Sequence, residues 1–563
     1  MNRRAAIGDG AWLLCFGLAS TVWCLAAAAT VGPTFDEPTY IRFGLEHWHT
    51  GSYKQLMRLG AMPMAVDVQT LPLHLWERCR GSPLPFADAL RCARAVTLVF
   101  WWILLIYALR AGNMIGGTWG GRIAVALLAC EPVLLGHAAL ATSDIPVATC
   151  LLVLTVEFRA GRESRWPRRV VLPAILYGLA ILAKASALVF GPLCLLGIEV
   201  GRISCAGKFP DRAAARESMR HSLSDVAKIT IGGLAVTFLY CGSDWTTERT
   251  FIEWAQTLPA GKFHDAMLWT SEHLRIFTNA GEGLAQQIKH NIRGHNSFIL
   301  GREYRRAVWF YFPLALTMKT TLSLLAAPLV ILAARRAAAL RNWACLIAGI
   351  LLLYSVTCRV QIGVRFMIPL IVFLCVGVGA AAASALSQLH GWKRTALTIW
   401  LVAGISSAAL ASIRVWPHGI CFTNLAWGGT TNGYRLLSDS NYDWGQGLPD
   451  LRKWQQQHGV EEVNVWYFGT DPAVHVAPLR ELPLHRLINQ GVTEAVKGKL
   501  VAVSTTLLYG SYTREPASQE AVALFRSHRP IGRTMTFLIY DFRGSPGSLD
   551  ATYHPTEQRR ANN

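Results

Sequence analysis

Acidic side chains stand at two points where an apolar segment ends. Asp36 and Glu37 follow the first apolar segment, and Asp144 follows a later one in the run HAALATSDIP. A carboxylate beside a bilayer is costly unless water, a cation or a cationic ligand meets it, and a carboxylate so placed can act as a general base. Each position has a structural alternative, because Pro38 and Pro146 suit the first turn of a helix that Asp36 or Asp144 would cap.

Three basic residues interrupt or border apolar segments. Lys184 and Lys319 lie inside such segments, and Arg365 begins another in QIGVRFMIP. Cations of this kind can gather around a phosphate at the membrane boundary, or they can reach the interface along their own apolar stems. The spacing of His47 and His49 is a weak metal signal that surface histidines share. The acidic residues permit a divalent cation, but no ligand spacing requires one, so we assign no metal ligands.

The composition indicates a membrane protein. Of the 563 residues, 52 % are hydrophobic and only 16 % are charged, whereas soluble proteins are about 25 % charged. The net charge of +19 arises largely in short connectors between apolar segments, as the positive-inside rule predicts. Nucleic-acid binding is not expected, because no basic patch with interleaved aromatic residues stands out. Cys79 and Cys92 share one loop and could form a disulfide in an oxidising compartment.

Eleven apolar segments of spanning or near-spanning length predict the fold, and the shorter ones must be extended, bent or re-entrant. They lie at 11–32, 95–109, 123–138, 145–158, 170–183, 186–200, 229–241, 308–334, 343–357, 362–382 and 395–412. The first has too long an apolar core for a signal peptide, so we interpret it as an uncleaved span. Arg3, Arg4 and the later basic connectors place the N-terminus in the cytoplasm. Outside the cytoplasm then lie the loops 33–94 and 242–307, the turns near Asp144, Lys184 and Arg365, and everything after about residue 413.

The chain changes character from about residue 414. Short β-like runs alternate there with polar stretches and one helix-like segment. The runs are 463–469, 499–506 and 533–542, and the helix-like segment is 448–458. We therefore predict a polytopic α-helical membrane domain of about eleven spans over residues 1–413. An extracytoplasmic soluble domain of the α/β or α+β class is predicted over residues 414–563.

The run SDSNYDWGQ opens this outer domain and concentrates polar side chains. The candidates for acceptor contact or for a domain interface are Asp439, Asn441, Asp443, Trp444 and Gln446. They could reach an acceptor or fold back over the membrane site. The alternative is a turn stabilised by Asx side chains, with Trp444 packed against the domain or the lipid interface.

The order of several segments resembles a known family. FDEPTYIRFGLEHWHTGSY, EPVLLGHAALATSDIP and GLAILAKASAL are similar to the phospholipid-carrier-dependent glycosyltransferases of the GT-C class, relatives of protein O-mannosyltransferases (glycosyltransferase family 39) and of the aminoarabinose transferases of lipid A. GHNSFILGREYRRAVWFYFPLALTMKTTLSLL, QIGVRFMIPL and NGYRLLSDSNYDWGQGLPDL resemble a bacterial branch. The resemblance runs from about residue 35 to 469. It implies an enzyme of the cell envelope in the plasma (inner) membrane.

The resemblance also implies the reaction. A hexosyl or pentosyl group would pass from a polyprenyl-phosphate donor to a hydroxyl of a protein, lipid or polysaccharide acceptor outside the cytoplasm. By matching motif, Asp36 would be the general base, Asp144 the second acidic residue and Glu37 a helper. The cations near the carrier phosphate would be Lys184, Lys319 and Arg365. A single displacement of this kind inverts the anomeric centre, and the departing phosphate needs no proton.

The sequence departs from the family pattern at two points. Relatives often have His-Pro-Pro-Leu or Lys-Pro-Pro-Leu where this chain has Ala61-Met62-Pro63-Met64, and Lys-Thr-Pro-Leu-Pro where it has Lys-Thr-Thr-Leu-Ser from Lys319. Both differences fall on segments implied in carrier or acceptor binding.

Two other functions stay open from the sequence. A transporter or flippase of a lipid-linked sugar would also carry cations inside apolar segments, although the sequence shows no internal repeat. A catalytically inactive scaffold that binds the carrier lipid is favoured by the basic residue that is missing near Pro63.

Overall fold

A computed structural model of the protein describes residues 3–205, 212–275, 278–335, 337–487, 491–510, 512 and 514–544. Helices make up most of the chain as far as residue 415. They are α1 (Arg3–Thr30), α2 (Glu37–Thr50), α3 (Lys54–Arg58), α4 (Pro63–Arg80), α5 (Phe86–Cys130), α6 (Pro132–Ala138), α7 (Asp144–Gly161), α8 (Leu172–Ala183), α9 (Ala187–Cys205), α10 (Arg212–Cys241), α11 (Arg249–Gln256), α12 (Lys262–His273), α13 (Ala280–Arg293), α14 (Tyr311–Lys319), α15 (Leu322–Arg335), α16 (Trp343–Ser355), α17 (Ile368–Gln388) and α18 (Gly391–Val415). A short antiparallel hairpin, β1 (Ser297–Ile299) and β2 (Arg302–Tyr304), lies between α13 and α14.

By length and composition, five described helical segments can cross a bilayer, and the chain is a membrane protein. They are Ala5–Thr30, Phe86–Cys130, Met219–Cys241, Val364–Gln388 and Gly391–Val415. A sixth arises if α14 and α15, which meet at an angle of 102°, form one broken span. The predicted count of about eleven is not confirmed. One reason is that α16 is apolar but has only 13 residues, fewer than the roughly 20 that a straight crossing needs.

Two of the predicted segments, 95–109 and 123–138, fall within or just beyond α5. The helix is interrupted at Gly117, whose φ of 69° and ψ of −172° are not helical. The two halves then lie against each other, because a Cβ atom at Gly112 would stand 2.6 Å from the carbonyl oxygen of Gly120. Small residues at helix contacts allow this close approach. α17 packs extensively against α5 and lies inside the bundle, so the turn that precedes α17 is held firmly.

The last part of the chain contains a five-stranded mixed sheet. Its strands are β3 (Val463–Trp466), β4 (Leu479–Glu481), β5 (Leu500–Ser504), β6 (Gly532–Arg533) and β7 (Phe537–Asp541), in the order β4-β3-β5-β7-β6. β3 is parallel to β4 and β5, whereas β7 is antiparallel to β5 and β6. The accompanying helices are α19 (Leu448–Gln457), α20 (Val492–Val496), α21 (Thr505–Leu508) and α22 (Pro516–Ser527). The predicted β-runs and helix therefore form, while the boundary at residue 413 stays a prediction.

Both faces of this sheet are covered. Along β5, Val501 and Val503 pack into one apolar cluster with Trp466, while Leu500 and Ala502 pack into another on the opposite face. A strand buried on both faces needs apolar residues at consecutive positions. This requirement explains the run KLVAVSTT, which predicts the strand from sequence.

The cysteines form no disulfide among the described residues. Cys79 and Cys92 are both free, Cys79 exposed and Cys92 half-buried. Cysteines inside the bundle, such as Cys194 and Cys375, are buried and pack as small apolar side chains.

Candidate active site

Four of the predicted site residues lie at breaks between helices. Asp36 precedes α2, and Asp144 is the first residue of α7. Lys184 follows α8 in an extended backbone conformation, and Arg365 lies in the single 3-10 turn Val364–Met367 before α17. Breaks of this kind let polar side chains meet inside a helical bundle, where they are shielded from lipid.

Asp144 is buried beside a cation. Lys184 Nζ donates to Asp144 Oδ1 at 2.5 Å, and Thr142 Oγ1 donates to Oδ2 at 3.2 Å. His137 Nδ1 stands 3.7 Å from Oδ2 and has no hydrogen-bond partner among the described residues. The N-cap position of α7 belongs to Ser143, so Asp144 does not have the capping role that the sequence allowed.

Asp36 occupies the N-cap position of α2, but its side chain makes no capping hydrogen bond. Its Oδ2 accepts from Arg365 Nη1 at 2.8 Å instead, and the hydroxyl of Tyr40 also donates to it. The Asp36 side chain is 24 % exposed, whereas that of Asp144 is 1 % exposed. Asp36 is therefore the carboxylate of the two that a ligand can reach.

The two ion pairs belong to one charge cluster, which consists of Asp36, Arg365, Asp144 and Lys184. Both Asp36 and Asp144 act electrostatically on Arg365, and both act on Lys184. The two cations also lie against one ring, with Lys184 Nζ 4.4 Å and Arg365 Cζ 5.3 Å from the centroid of Phe366. The structure thus brings together two predicted carboxylates and two of the three predicted cations.

Glu37 is fully buried and closed off by donors. Its oxygens accept from Arg94 Nε at 2.8 Å and Arg94 Nη2 at 2.7 Å, and from the backbone amides of Thr34 at 2.8 Å and Ala141 at 2.7 Å. Arg94 also donates to the carbonyls of Ala28, Val31 and Gly32. Burial would raise the pKa of Glu37, but Arg94 and the hydrogen bonds outweigh burial and lower it. Glu37 is an ionised residue with no oxygen left for a substrate.

Residues 438–446, here called the fold-back segment, pack against the turn that carries Arg365. Asn441 Oδ1 accepts from the amide of Val364 at 2.9 Å, and Ser440 Oγ donates to the carbonyl of Ile362 at 2.7 Å. The fold-back segment therefore lies against the turn that carries Arg365, and its role at an acceptor stays a prediction.

The same segment also contacts the loop that carries Asp36. The carbonyl of Trp444 accepts from the amide of Phe35 at 2.8 Å, and that of Gln446 accepts from the amide of Gly32 at 2.9 Å. The Trp444 ring lies 4.1 Å from Arg365 Cζ, a cation–π contact. Trp444 is buried, so its ring forms a wall beside the ion pair.

The two carboxylates of the fold-back segment have different surroundings. Asp439 accepts from the hydroxyl of Tyr512 and interacts electrostatically with Arg365, so it borders the charge cluster. Asp443 accepts from the amide of Thr506, the second residue of α21, at 3.1 Å. Burial raises the pKa of Asp443 to about 7.

Lys319 lies at the end of α14 and is 1 % exposed. Its Nζ donates to the carbonyls of Ile420 at 2.7 Å and Asn441 at 2.6 Å, and it makes no ion pair with any described residue. These bonds tie the membrane domain to the fold-back segment. Its role at the carrier phosphate stays a prediction.

Two cavities adjoin the site. The apolar cavity, of about 180 Å³, is lined by Lys184 and mainly by apolar side chains that include Leu188, Phe190, Ile288 and Phe366. The basic cavity, of about 1250 Å³, is lined among others by Arg293, Arg305, Arg306, Arg359 and Arg514. Ile292 and Cys358 line both cavities, so the two spaces are neighbours.

One group of described residues has the composition of a metal site. His49 on α2 lies with His74 and Glu77 on α4, with the potential ligand atoms within 4.8 Å of one another. His49 Nε2 is already 2.8 Å from Glu77 Oε2. His47, the other member of the sequence pair, stacks on Tyr53 instead. The charge cluster itself lies outside this group.

Sequence reasoning missed Arg94, Tyr512 and the arginines of the basic cavity. Arg94 pairs with Glu37 across 57 positions, and no local pattern indicates such a pairing. A signal for the cavity was present, however. The pair Arg305–Arg306 lies in a loop predicted to be outside the cytoplasm, where the positive-inside rule expects few basic residues.

Comparison with known proteins finds similar structures but no sequence match. No protein-family model and no curated protein matches the chain. The fold is similar to ArnT from Cupriavidus metallidurans in the apo state, with a TM-score of 0.42 at 14 % identity over 94 % of this chain and 98 % of that one. For the same protein bound to undecaprenyl phosphate the TM-score is 0.43 at 13 % identity, covering 94 % and 97 %.

A second similar structure is archaeal. The oligosaccharyltransferase AglB from Archaeoglobus fulgidus, in complex with an inhibitory peptide and a dolichol-phosphate, gives a TM-score of 0.43 at 12 % identity over 94 % of this chain and 74 % of that one. Both proteins are GT-C glycosyltransferases, the class that the sequence resembles.

Proposed function

We propose that the protein is an inverting glycosyltransferase that moves a hexosyl or pentosyl group from a polyprenyl-phosphate donor to an acceptor hydroxyl at the outer face of the plasma membrane. The observation that carries this proposal is the charge cluster beside the apolar cavity. An accessible carboxylate, Asp36, and a buried one, Asp144, each hold a cation there. The arrangement supplies a base for a hydroxyl and positive charge for a phosphate.

Asp36 is the general base in this proposal. The acceptor oxygen forms a bond to the anomeric carbon while the bond from that carbon to the phosphate oxygen breaks. The electron pair leaves with the phosphate, and Asp36 takes the acceptor proton. Asp36 suits this role because its side chain is 24 % exposed and held by one arginine. A single displacement of this kind inverts the anomeric centre.

Lys184 and Arg365 meet the carrier phosphate. Charge develops on the phosphate oxygen as the sugar leaves, and cations fixed in a dry site stabilise that charge. Lys184 also lines the apolar cavity. The carrier phosphate would therefore lie at Lys184, and the first isoprene units would lie in the cavity beside it. A carrier of this kind, undecaprenyl phosphate or dolichol-phosphate, is bound by the similar structures named above.

Glu37 and Lys319 are positioning residues in this proposal. Glu37 and Arg94 hold the turn before α2 against Ala141, three residues from Asp144. Lys319 holds the fold-back segment at Asn441, whose side chain fixes the turn before Arg365. Both residues would act through the geometry of the carboxylates and cations that touch substrate.

We also propose the predicted topology, with eleven crossings, a cytoplasmic N-terminus and residues 414–563 outside. Support comes from the position of the site residues: Asp36, Asp144, Lys184 and Arg365 gather at helix breaks that this topology places on one side of the membrane. The outer domain lies against the same site through the fold-back segment.

The test uses the full chain in liposomes with a panel of labelled polyprenyl-phosphate sugars and a membrane extract as acceptor source. Label should leave the carrier with the wild type, and Asp36→Asn should slow its release by a factor of about 10² to 10⁴ while carrier binding is kept. Glu46→Gln is the matched control, because Glu46 lies on the same helix, α2, outside the charge cluster.

Two results would contradict the proposal. Asp36→Asn with the release rate of the wild type would remove the assigned base. Label that crosses the bilayer and stays on the carrier, in the wild type and in Asp36→Asn alike, would show a flippase.

A further inference from the structure

The arginines of the basic cavity serve none of the steps described above. We infer that this cavity binds the acceptor, and that the acceptor is an acidic saccharide carrying phosphate or carboxylate groups. The inference rests on the proposed function, because it names the second substrate of the same site.

The first observation is that the arginines of the cavity have no acidic partners among the described residues. Five arginines line the cavity and none forms an ion pair with a described acidic residue; they are Arg293, Arg305, Arg306, Arg359 and Arg514. The acidic side chain in the lining is Glu515, so the formal charge of the named groups is five minus one, +4. Like charges this close repel each other. Guanidinium groups without carboxylate partners suit phosphate or carboxylate ligands, which they bind through paired hydrogen bonds.

The second observation is the connection to the reacting residues. Tyr512 lines the basic cavity, and its hydroxyl donates to Asp439, which interacts electrostatically with Arg365. Gln361 also lines the cavity, four positions before Arg365, and is fixed by hydrogen bonds to Val308. A ligand in the cavity therefore lies next to the charge cluster.

The third observation is size. The cavity has a volume of about 1250 Å³, larger than the roughly 300–1,000 Å³ of pockets for drug-sized ligands. That space suits several linked sugar rings. A neutral acceptor, whether peptide or saccharide, has no need of five arginines. The carrier phosphate already has Lys184 and Arg365, which leaves the arginines of the cavity for the acceptor.

The test is equilibrium binding to the full chain in detergent, which does not depend on transfer. The probes are pentamannose phosphate, tetragalacturonate and neutral maltopentaose. At least one acidic probe should bind about tenfold more tightly than maltopentaose, and added salt should weaken that binding. A preference for pentamannose phosphate would identify the anion as phosphate, and one for tetragalacturonate would identify it as carboxylate.

The variant for this test is Arg306→Gln with Arg359→Gln. It should weaken binding of the acidic probe at least about tenfold, because two charged hydrogen-bond donors are lost. The control is Arg302→Gln. Arg302 is an exposed arginine of β2, four residues before Arg306, and it does not line the cavity. This variant should leave binding within about twofold of the wild type. Arg306→Lys with Arg359→Lys keeps both charges but not the paired hydrogen bonds, so it should bind the acidic probe more tightly than the double glutamine variant and more weakly than the wild type.

Two results would overturn the inference. The first is equal binding of the acidic and neutral probes. The second is an equal loss of undecaprenyl phosphate binding in the double glutamine variant, which would assign these arginines to the carrier. Either result would leave Asp36-dependent release of the sugar unaffected, so failure here is distinguishable from failure of the proposed function.

Discussion

Asp36 and Glu37 are neighbours in the sequence, yet their surroundings are opposite. Glu37 is fully buried, and both its oxygens are occupied by Arg94 and by two backbone amides. Asp36 is partly exposed and held by Arg365 and Tyr40. The comparison teaches that the role of a carboxylate at a membrane boundary depends on the groups that occupy its oxygens. A saturated carboxylate supports the fold, and one with free capacity can accept a proton.

The largest effect on stability is expected from Arg94→Met. It leaves Glu37 buried without its cation, and breaking a buried ion pair in this way costs about 3–5 kcal/mol. Arg365→Met should cost clearly less, because Asp36 can turn to water. Chemical unfolding of both variants in detergent measures the two costs. If Arg94→Met and Arg365→Met lost the same amount of stability, the proposed difference between a structural ion pair at Glu37 and an accessible one at Asp36 would be wrong.

A control separates the charge from the packing. In the double variant Arg94→Met with Glu37→Leu no unpaired charge remains, so part of the lost stability should return. The rest stays lost, because the backbone groups that were bonded to Arg94 and Glu37 lose those partners. If the double variant were as unstable as Arg94→Met, the shape of the pair, rather than its charge, would hold the turn before α2.

A smaller effect, on substrate affinity, is expected at the second ion pair. Lys184→Met removes a cation from the apolar cavity, so undecaprenyl phosphate should bind about 10- to 100-fold more weakly. Lys184→Met also leaves Asp144 buried without a partner. Lys184→Met with Asp144→Asn should therefore recover stability without recovering affinity, whereas Lys184→Arg should keep both. Unchanged carrier affinity in Lys184→Met would contradict the phosphate role of Lys184.

A further effect is a pH dependence of stability that contrasts Glu37 with Asp443. Burial raises the pKa of Asp443 to about 7, against about 3.9 in an unfolded chain. The stability that this group contributes is therefore present below about pH 4 and is lost as the pH rises towards 7. Glu37, whose pKa is lowered, has the opposite sign and loses its contribution as the pH falls below about 4.

The measurement is the thermal midpoint of the full chain from about pH 2, where Glu37 is protonated, to about pH 8, where Asp443 is ionised. Asp443→Asn should lose less stability than the wild type between pH 5 and pH 7. Glu37→Gln should lose less than the wild type on acidification. If both variants followed the wild-type profile, the ionisation of these two carboxyl groups would not govern stability.

The sequence predicts the site better than it predicts the span count. Asp36, Asp144, Lys184 and Arg365 can be found because each interrupts or borders an apolar segment, where a charge is conspicuous. Their pairing partners are less visible, since Asp36 and Arg365 lie 329 positions apart. Glu37 is equally conspicuous in the sequence, and only its contact with Arg94 distinguishes its role from that of Asp36.

The sheet-containing part of the chain shows the same limit of sequence-based prediction. β3, β5 and β7 are predicted because both faces of these central strands are buried and most of their residues are apolar. The edge strands β4 and β6 have three and two residues and little apolar content, so no pattern indicates them. The basic cavity was missed for a different reason: its arginines come from four separate stretches of the chain that only the fold unites.

The most direct test of the account compares Asp36→Asn with Glu37→Gln in single-turnover transfer, with the rates normalised to folded protein. The account predicts that Asp36→Asn slows release of the sugar from its carrier by a factor of about 10² to 10⁴ in a stable protein. It predicts that Glu37→Gln lowers the amount of folded protein and leaves the rate per folded molecule within about tenfold of the wild type. A Glu37→Gln rate as low as that of Asp36→Asn, or an Asp36→Asn rate equal to the wild type, would contradict it.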